Sequence, residues 1–256
     1  MRNKLTRFFN KASVLSVTIF LLFLWQLTYS FSLLDSFLFP SPITVLTAFA
    51  GFFSTLSILP DLLSTLWKIF AAITIGCLTG FLVGTILSKW DFLYASSSPL
   101  LDFFRSIPAT ALFPLFLLLF GPGDSTNVAL ATWVCALYLS LHVSKALRST
   151  SEAALLTASS LKKSVFDTFL HVKLREGLPM IFLGLRTAVS LTVVVVIVAE
   201  MFVGTTRGLG KVLIDSAYTY EIPKLYAGIL LVGIIGYLLN YLVIYSEKKI
   251  VHWHGK

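Results

Sequence analysis

Apolar residues fall in long, nearly uninterrupted blocks near 13–30, 65–88, 111–120 joined to 128–144, 178–204 and 225–246. A helix needs roughly 20 apolar residues to cross a bilayer, so each block predicts a membrane helix. The stretch 95–147 is too long for one crossing and is split by Gly121-Pro122-Gly123-Asp124, a turn sequence, which brings the predicted total to about six helices. One segment breaks the pattern. Six Lys or Arg lie in the thirty-one residues from Lys145 to Arg175, where Leu155, Ala158, Leu161, Val165, Phe169 and Val172 recur at helical spacing. Glu152, Lys162, Lys163, Asp167 and His171 fall on the other faces. That alternation predicts an amphipathic docking element outside the lipid.

Composition agrees. The 256 residues are 57% hydrophobic and only 12% charged, with mean hydropathy +0.87. A charged fraction about half that of a soluble domain leaves too much apolar surface for a soluble fold of this size to hide. The expected class is all-α: a polytopic integral membrane protein.

The net charge of +8 orients the chain rather than marking a nucleic-acid binder. With the N-terminus in the cytoplasm, Arg2, Lys4, Arg7, Lys11, Lys89, the six of the basic segment, Lys248, Lys249 and Lys256 lie inside, and only Arg207, Lys211 and Lys224 lie outside. Fourteen against three satisfies the positive-inside rule with both termini cytoplasmic. Residues 2–30 begin like a signal peptide, but the apolar run is long and Thr28-Tyr29-Ser30-Phe31-Ser32 is a poor cleavage site, so the segment is expected to remain as the first membrane helix.

Several details refine the bundle. Pro40 and Pro42 precede a short apolar run to Phe53, read as an interfacial helix on the outer face. Gly76, Gly80 and Gly84 line one stripe of a helix and allow close approach by another. Asp102 and Arg105, followed by Pro108 and Pro114, are expensive in lipid and are expected to face protein or water, or to pair with each other three residues apart. Arg186 also sits at apparent membrane depth, and Glu200, after six apolar residues, wants a partner; Lys68 is expected to snorkel to the outer surface. The loop from Gly204 holds a Gly-Lys pair, yet its spacing is wrong for a nucleotide loop and Val212 stands where Ser or Thr is required, so it reads as a glycine-hinged turn into a short helix. Cys77 and Cys135 read as small hydrophobes, and His252-Trp253-His254 as an interfacial anchor. No metal-ligand cluster, nucleophile elbow or zincin helix is present in the sequence.

Read together, Phe39-Pro-Ser-Pro, Phe104-Arg-Ser-Ile-Pro-Ala-Thr-Ala-Leu-Phe-Pro-Leu with Phe120-Gly-Pro-Gly, and Val198-Ala-Glu-Met-Phe-Val-Gly with Arg207-Gly-Leu-Gly resemble the membrane subunits of binding-protein-dependent ABC importers, in the nitrate, sulfonate and taurine branch. The likeness runs from about Phe37 to Glu247 and implies the type I importer permease fold. In that family a cytoplasmic loop carries a Glu-Ala-Ala motif, with a glycine six residues after the Glu, that docks into the ATPase. Glu152-Ala153-Ala154 matches literally but out of register. Anchored on Arg148-Ser149 and Leu178-Pro179, the family motif aligns with Leu156-Thr157-Ala158 and its glycine with Lys162. With a lysine there, either the turn is made differently, with Ser159-Ser160 helping, or the two short helices run more continuously.

The resemblance implies residues 1–60 as an N-terminal membrane helix plus outer helix, 61–247 as the transmembrane core with a coupling loop at 148–176, and 248–256 as a basic cytoplasmic tail. It implies ATPase contact through Ser151, Glu152, Leu155, Leu156, Thr157, Ala158, Ser159, Ser160, Leu161, Lys162 and Lys163, with Leu155, Leu156 and Leu161 as apolar plugs. Arg105, Pro108, Arg186 and Glu200 are the expected pathway or gate positions. Implied partners are an ABC ATPase subunit, which carries the ATP and Mg, a soluble substrate-binding protein, a second permease copy in a homodimer, and the bilayer of the inner membrane. This chain itself would hold no cofactor and bind no nucleic acid. The expected cargo is a nitrate-, sulfonate- or taurine-like anion, or a vitamin precursor. Two other classes stay open at this point: an ion-gradient-driven transporter using Asp102, Arg105 and Glu200 as a relay, and a membrane enzyme acting through Glu200 or His142.

Overall fold

The computed structural model describes residues 2–202 and 204–253, with side chains from residue 16 onward. The side chains of Arg2, Lys4, Arg7 and Lys11 and the tail residues 254–256, on which part of the charge argument and the basic-tail expectation rest, lie outside the described residues. The described chain is helical: α1 (Arg2–Ser30), α2 (Pro42–Ser54), α3 (Leu59–Lys89), α4 (Asp91–Ser106), α5 (Phe113–Phe120), α6 (Asp124–Arg148), α7 (Glu152–Ser160), α8 (Val165–Thr168), α9 (Leu174–Phe202), α10 (Leu209–Tyr218) and α11 (Ile222–Ile250). A 3₁₀ turn (Ala109–Leu112) precedes α5, and a π-helical turn (Phe169–Lys173) fuses α8 to α9.

Among the described residues four helical stretches are long and apolar enough to cross a membrane: Leu59–Lys89, Asp124–Arg148, Val165–Phe202 and Ile222–Ile250. A fifth crossing is made if α4 and the Ala109–Phe120 stretch count as one span, and that span is bent by 89°. The described apolar part of α1, Ser16–Ser30, is shorter. The third crossing expected from the sequence is therefore not a straight helix. Pro108 pushes Ile107 out of helical geometry, to φ −76° and ψ 122°, which ends α4. Pro114 then fits the first turn of α5, where a missing N–H costs nothing.

The chain divides into two compact units. One comprises the residues up to Leu59 with Val212–Leu231. In it Ser41 caps α2 by accepting the Thr44 N–H (3.1 Å), with Pro42 at the first helical position. The linker before it is pinned by aromatic residues: the Trp25 indole N–H donates to the Pro40 carbonyl (3.0 Å), and the Trp25 and Phe39 rings both pack against Tyr226.

The other unit comprises Pro60–Lys211 and Val232–Lys256. Its centre is the pair α6 and α9. In their apolar windows 61% and 56% of residues are buried, against 28% in α3. Cys135, Leu139, Val143 and Ala146 of α6 pack with Ile181 and Ala188 of α9. The glycine stripe lays α3 against α6 as expected: a Cβ at Gly76 would stand 2.5 Å from the Cys135 Cβ, one at Gly80 2.8 Å from the Ala136 carbonyl, and one at Gly84 2.7 Å from the Ser140 carbonyl. Any side chain at these positions forces the helices apart.

Candidate functional site: a broken-helix cavity, a buried ionic tie and an exposed lever

Where α4 ends, the backbone leaves helical geometry at Ile107 and Pro108, and non-helical backbone in a membrane protein is tolerated where it is buried in protein or lines a cavity. It lines one. A cavity of 280 Å³ opens between the Phe104–Phe113 break, Trp133 to Tyr138 of α6, and Leu191 to Val198 of α9. Its walls are apolar and aromatic, with Phe104 meeting Trp133 edge-on at 5.7 Å. Arg105 is its one charged lining residue: the guanidinium lies 5.9 Å from the Tyr138 ring centre and 3.2 Å from Asp102. The expected Asp102–Arg105 pair thus exists, partly exposed, and leaves guanidinium surface for a solute.

Of the four expected pathway positions, Arg105 and Pro108 meet in this cavity. Arg186 does not line it and instead donates from Nε to the Asn240 amide oxygen (2.9 Å), tying α9 to α11. Glu200 also lies elsewhere, at the centre of a buried ionic tie. Its carboxylate accepts from the Thr65 hydroxyl (2.9 Å), from Lys68 Nζ (3.0 Å) and from the Gly210 N–H (2.9 Å). The expectation that Lys68 snorkels is wrong. Its side chain is fully buried, and its ammonium reaches Glu200, the Arg207 carbonyl (2.8 Å) and Asp124 (2.9 Å), one acceptor for each proton. A buried ion costs several kcal/mol of desolvation, so this full set of partners is what keeps both charges in place.

The same tie explains the Arg207-Gly-Leu-Gly sequence. The first N–H groups of α10 have no partner within the helix and are capped from other elements: Gly208 N–H by Asp61 (2.9 Å), Leu209 N–H by the Thr65 hydroxyl (2.8 Å) and Gly210 N–H by Glu200. Gly208, at φ +148°, has no room for a Cβ beside the Glu200 carboxylate, and one at Gly210 would strike the Ile197 carbonyl. The loop from Gly204 (φ +71°) is the glycine-hinged turn into a short helix that the sequence predicts.

The basic segment forms a helix, a turn and a second helix. Ser151 caps α7, and Ser164 caps α8 through a reciprocal box in which the Asp167 N–H donates to Ser164 Oγ (3.0 Å) and Ser164 Oγ donates to the Asp167 carboxylate (2.8 Å). Between them Lys162 adopts φ +50°. The Lys162 N–H donates to Ser159 O (2.9 Å) and the Lys163 N–H to Ala158 O (3.1 Å), the Schellman pattern of a helix end. Of the two expectations, the first fits: the two helices are not continuous, and the turn is made without a glycine, with Lys162 in the left-handed conformation and the Ser159 carbonyl accepting from it.

This segment presents Leu156, Leu161, Val165 and Phe166, which are 66%, 66%, 89% and 70% exposed. Leu155, expected as a third plug, is half-buried and lines an inner cavity instead, while Ala158 is buried at 4%. Val165 was read as part of the docking element but not among its ATPase contacts, and Phe166 was not singled out, although the Ser164-x-x-Asp167 sequence was there to show a second helix starting at Val165. From Val165 the helix is continuous to Phe202, 38 residues, or about 57 Å at 1.5 Å per residue. That is well over the roughly 30 Å of hydrocarbon, so one continuous helical stretch runs from Val165 and Phe166 to the cavity wall at Leu191–Val198.

A cavity at a broken span, walled by helices long enough to cross a membrane, is the architecture of a membrane transport subunit. The chain belongs to the family described as "Binding-protein-dependent transport system inner membrane component", which matches residues 72–252. It is similar to the putative aliphatic sulfonates transport permease protein SsuC of Bacillus subtilis (strain 168), 23% identical over 234 residues that cover 91% of this chain and 84% of that protein. It is also similar to the taurine transport system permease protein TauC of Escherichia coli (strain K12), 24% identical over 241 residues, 92% and 87% of the two chains. A solved structure showing inward-facing conformations of the MetNI methionine ABC transporter shares the fold, with TM-score 0.61 and 21% identity over 75% of this chain and 94% of that one. The chain is thus a multi-pass inner-membrane subunit of an ABC importer, not an enzyme, and ATP hydrolysis belongs to a separate subunit. Membership of this family sets aside the ion-gradient and membrane-enzyme readings.

Proposed function

We propose that the chain forms the translocation pathway for a small organic anion with an apolar body, a sulfonate or taurine-like solute, handed over by a binding protein. The observation that carries this is the composition of the broken-helix cavity: apolar and aromatic walls with Arg105 as the one cation among its lining residues. A sulfonate head pairs with a guanidinium through charge-assisted hydrogen bonds while its alkyl part rests on Phe113, Val134 and Leu137. The similarity to aliphatic sulfonate and taurine permeases points the same way. The edge-on Phe104–Trp133 pair supports a second cargo, a flat vitamin precursor stacked on the aromatic wall.

In this reading two copies of the chain enclose the pathway as a homodimer and both termini are cytoplasmic, which places the basic segment on the ATPase side. Residues 151–163, joined by Val165 and Phe166, dock to the ATPase. Nucleotide-driven closure of the ATPases moves these segments together and tips α9 between two states. Pro108 holds the break open, whereas Glu200 and Arg186 tie helices together.

Uptake into vesicles holding the permease, its ATPase and the binding protein tests this. Taurine or an alkanesulfonate is expected to accumulate with ATP and to stop accumulating when the ATPase is inactivated. Arg105→Gln is expected to lower sulfonate uptake about tenfold, from loss of a charged hydrogen bond of about 1.5 kcal/mol. Uptake that persists without ATP hydrolysis, or sulfonate uptake indifferent to Arg105→Gln, overturns the reading. Competition by a vitamin precursor rather than by sulfonates moves the assignment to the second cargo.

A further inference from the structure

We propose that the cavity between the end of α3 and the basic segment is a seat for an anionic phospholipid. The cavity measures 680 Å³ and is separate from the broken-helix cavity. Three lysines line it: Lys89 from the last turn of α3, Lys163 from the turn before α8, and Lys173 from the π-helical turn. Among the described residues none of the three forms an ion pair. The neighbouring acid, Asp91, is engaged by Arg148 at 2.5 Å, and Asp167 by its capping contact with Ser164. Lys89 also lies over the Trp90 ring, 4.8 Å from its centre, but a ring face does not neutralise its charge, and three ammonium groups without an ion pair around one cavity call for an anion.

The rest of the lining says which anion. Leu155, Phe166 and Phe169 make much of the wall apolar, which a bare phosphate does not use and an acylated one does. Thr85, also in the lining, has a hydroxyl without a hydrogen-bond partner. Just before the lysines, α3 exposes Leu82 (61%) and Ile86 (52%) toward its surroundings, an apolar track that leads to Lys89. The order along α3 is thus acyl-compatible surface first and cations next, the polarity of a phospholipid standing beside the helix. At 31 residues α3 is about 46 Å long, close to the thickness of a bilayer with its headgroups, so its end lies at headgroup level. Basic recesses between membrane helices at that level favour anionic headgroups. Assignment to the cytoplasmic leaflet rests on the orientation proposed above; the seat itself does not. By filling the space between α3 and the turn before α8, the lipid braces the basic segment against the body of the bundle.

The test uses the permease copurified with its ATPase, reconstituted in phosphatidylcholine nanodiscs with a minority of phosphatidylglycerol. Phosphatidylglycerol retained per permease after detergent extraction is read by native mass spectrometry. Lys89→Gln with Lys173→Gln is expected to weaken retention about thirtyfold, from roughly 1 kcal/mol per lysine near an anionic headgroup. Lys89→Arg with Lys173→Arg is expected to retain it. Lys248→Gln, which removes a basic charge outside the cavity, is expected to change nothing, and millimolar inorganic phosphate is expected not to displace the lipid. Unchanged retention in the double glutamine variant overturns the proposal, as does an equal loss with Lys248→Gln, which would mean diffuse surface charge. Displacement by inorganic phosphate overturns it in favour of a free-anion site. Loss of the ATPase from the double variant with lipid retained assigns the lysines to the ATPase contact instead. Retention is read without transport, so failure of the proposed cargo leaves this result standing on its own.

Discussion

At Lys162 a single residue carries backbone strain. A side chain in the left-handed region costs about 1 kcal/mol or more relative to glycine, because Cβ crowds the following carbonyl. Here the conformation is over-determined by the two Schellman hydrogen bonds behind it and by the Ser164 cap two residues ahead. Lys162→Gly is expected to stabilise the helix–turn–helix by about 1 kcal/mol, read as roughly fivefold slower amide exchange in α7, whereas Lys162→Val is expected to speed it. Equal exchange in the glycine variant and the parent would show that the turn holds no strain. The residue scale is also where the sequence misled. Judged by its own preference, lysine left open whether the two short helices run on, yet the neighbouring caps set the backbone and the lysine followed. Lys68 misled in a similar way: its burial depends on Glu200, 132 positions further on, and a reading of one sequence has no signal for that pairing.

Between elements, the ionic tie fixes where α3, α9 and the start of α10 sit within their unit, and its parts are unequal. Lys68→Met leaves the buried Glu200 carboxylate with Thr65 and the Gly210 N–H but without its counter-charge. The expected loss is about 3–5 kcal/mol, because one partner of a buried pair is removed. Adding Glu200→Gln to that variant is expected to recover a large part, since the amide oxygen still accepts the Gly210 N–H and no charge remains to be desolvated. Thermal unfolding of the purified subunit checks both; a double variant no more stable than Lys68→Met would show that the pair acts otherwise than by charge balance. Gly80→Leu addresses the α3–α6 crossing. With a Cβ already 2.8 Å from the Ala136 carbonyl, a leucine must separate the helices, and a sharp fall in unfolding temperature is expected. That crossing was legible in the sequence because small residues every fourth position describe a stripe whatever they pack against. The 89° bend was legible only in part. Pro108 and Pro114 marked the place, but the direction of the chain beyond Ile107 depends on the helices that wall the cavity.

For the whole molecule, the proposed coupling runs from an exposed face through a continuous helix to a cavity. Leu156, Leu161, Val165 and Phe166 are exposed apolar residues, the last two at the very start of the long stretch Val165–Phe202, and in the proposed function they meet the ATPase. Val165 stands at the first position of a helical stretch that reaches Phe202, so in the proposed function displacement of these residues is passed along it to Leu191–Val198. Docking energy and structural integrity can therefore be separated by substitution. Leu156→Glu with Phe166→Glu places two charges in the proposed ATPase contact at positions that are mostly exposed. Apolar anchors at an interface centre are worth about 2 kcal/mol or more, so ATPase affinity is expected to fall at least about thirtyfold, with the unfolding temperature of the permease unchanged. Leu155→Ala, at the half-buried position next door, is expected to do the reverse, lowering stability and leaving ATPase copurification in place. If both variants lose stability alike, the patch is part of the fold rather than a handle. If neither loses the ATPase, the motor engages the permease elsewhere, and the continuous helix from Val165 to Phe202 is not the element that carries its stroke.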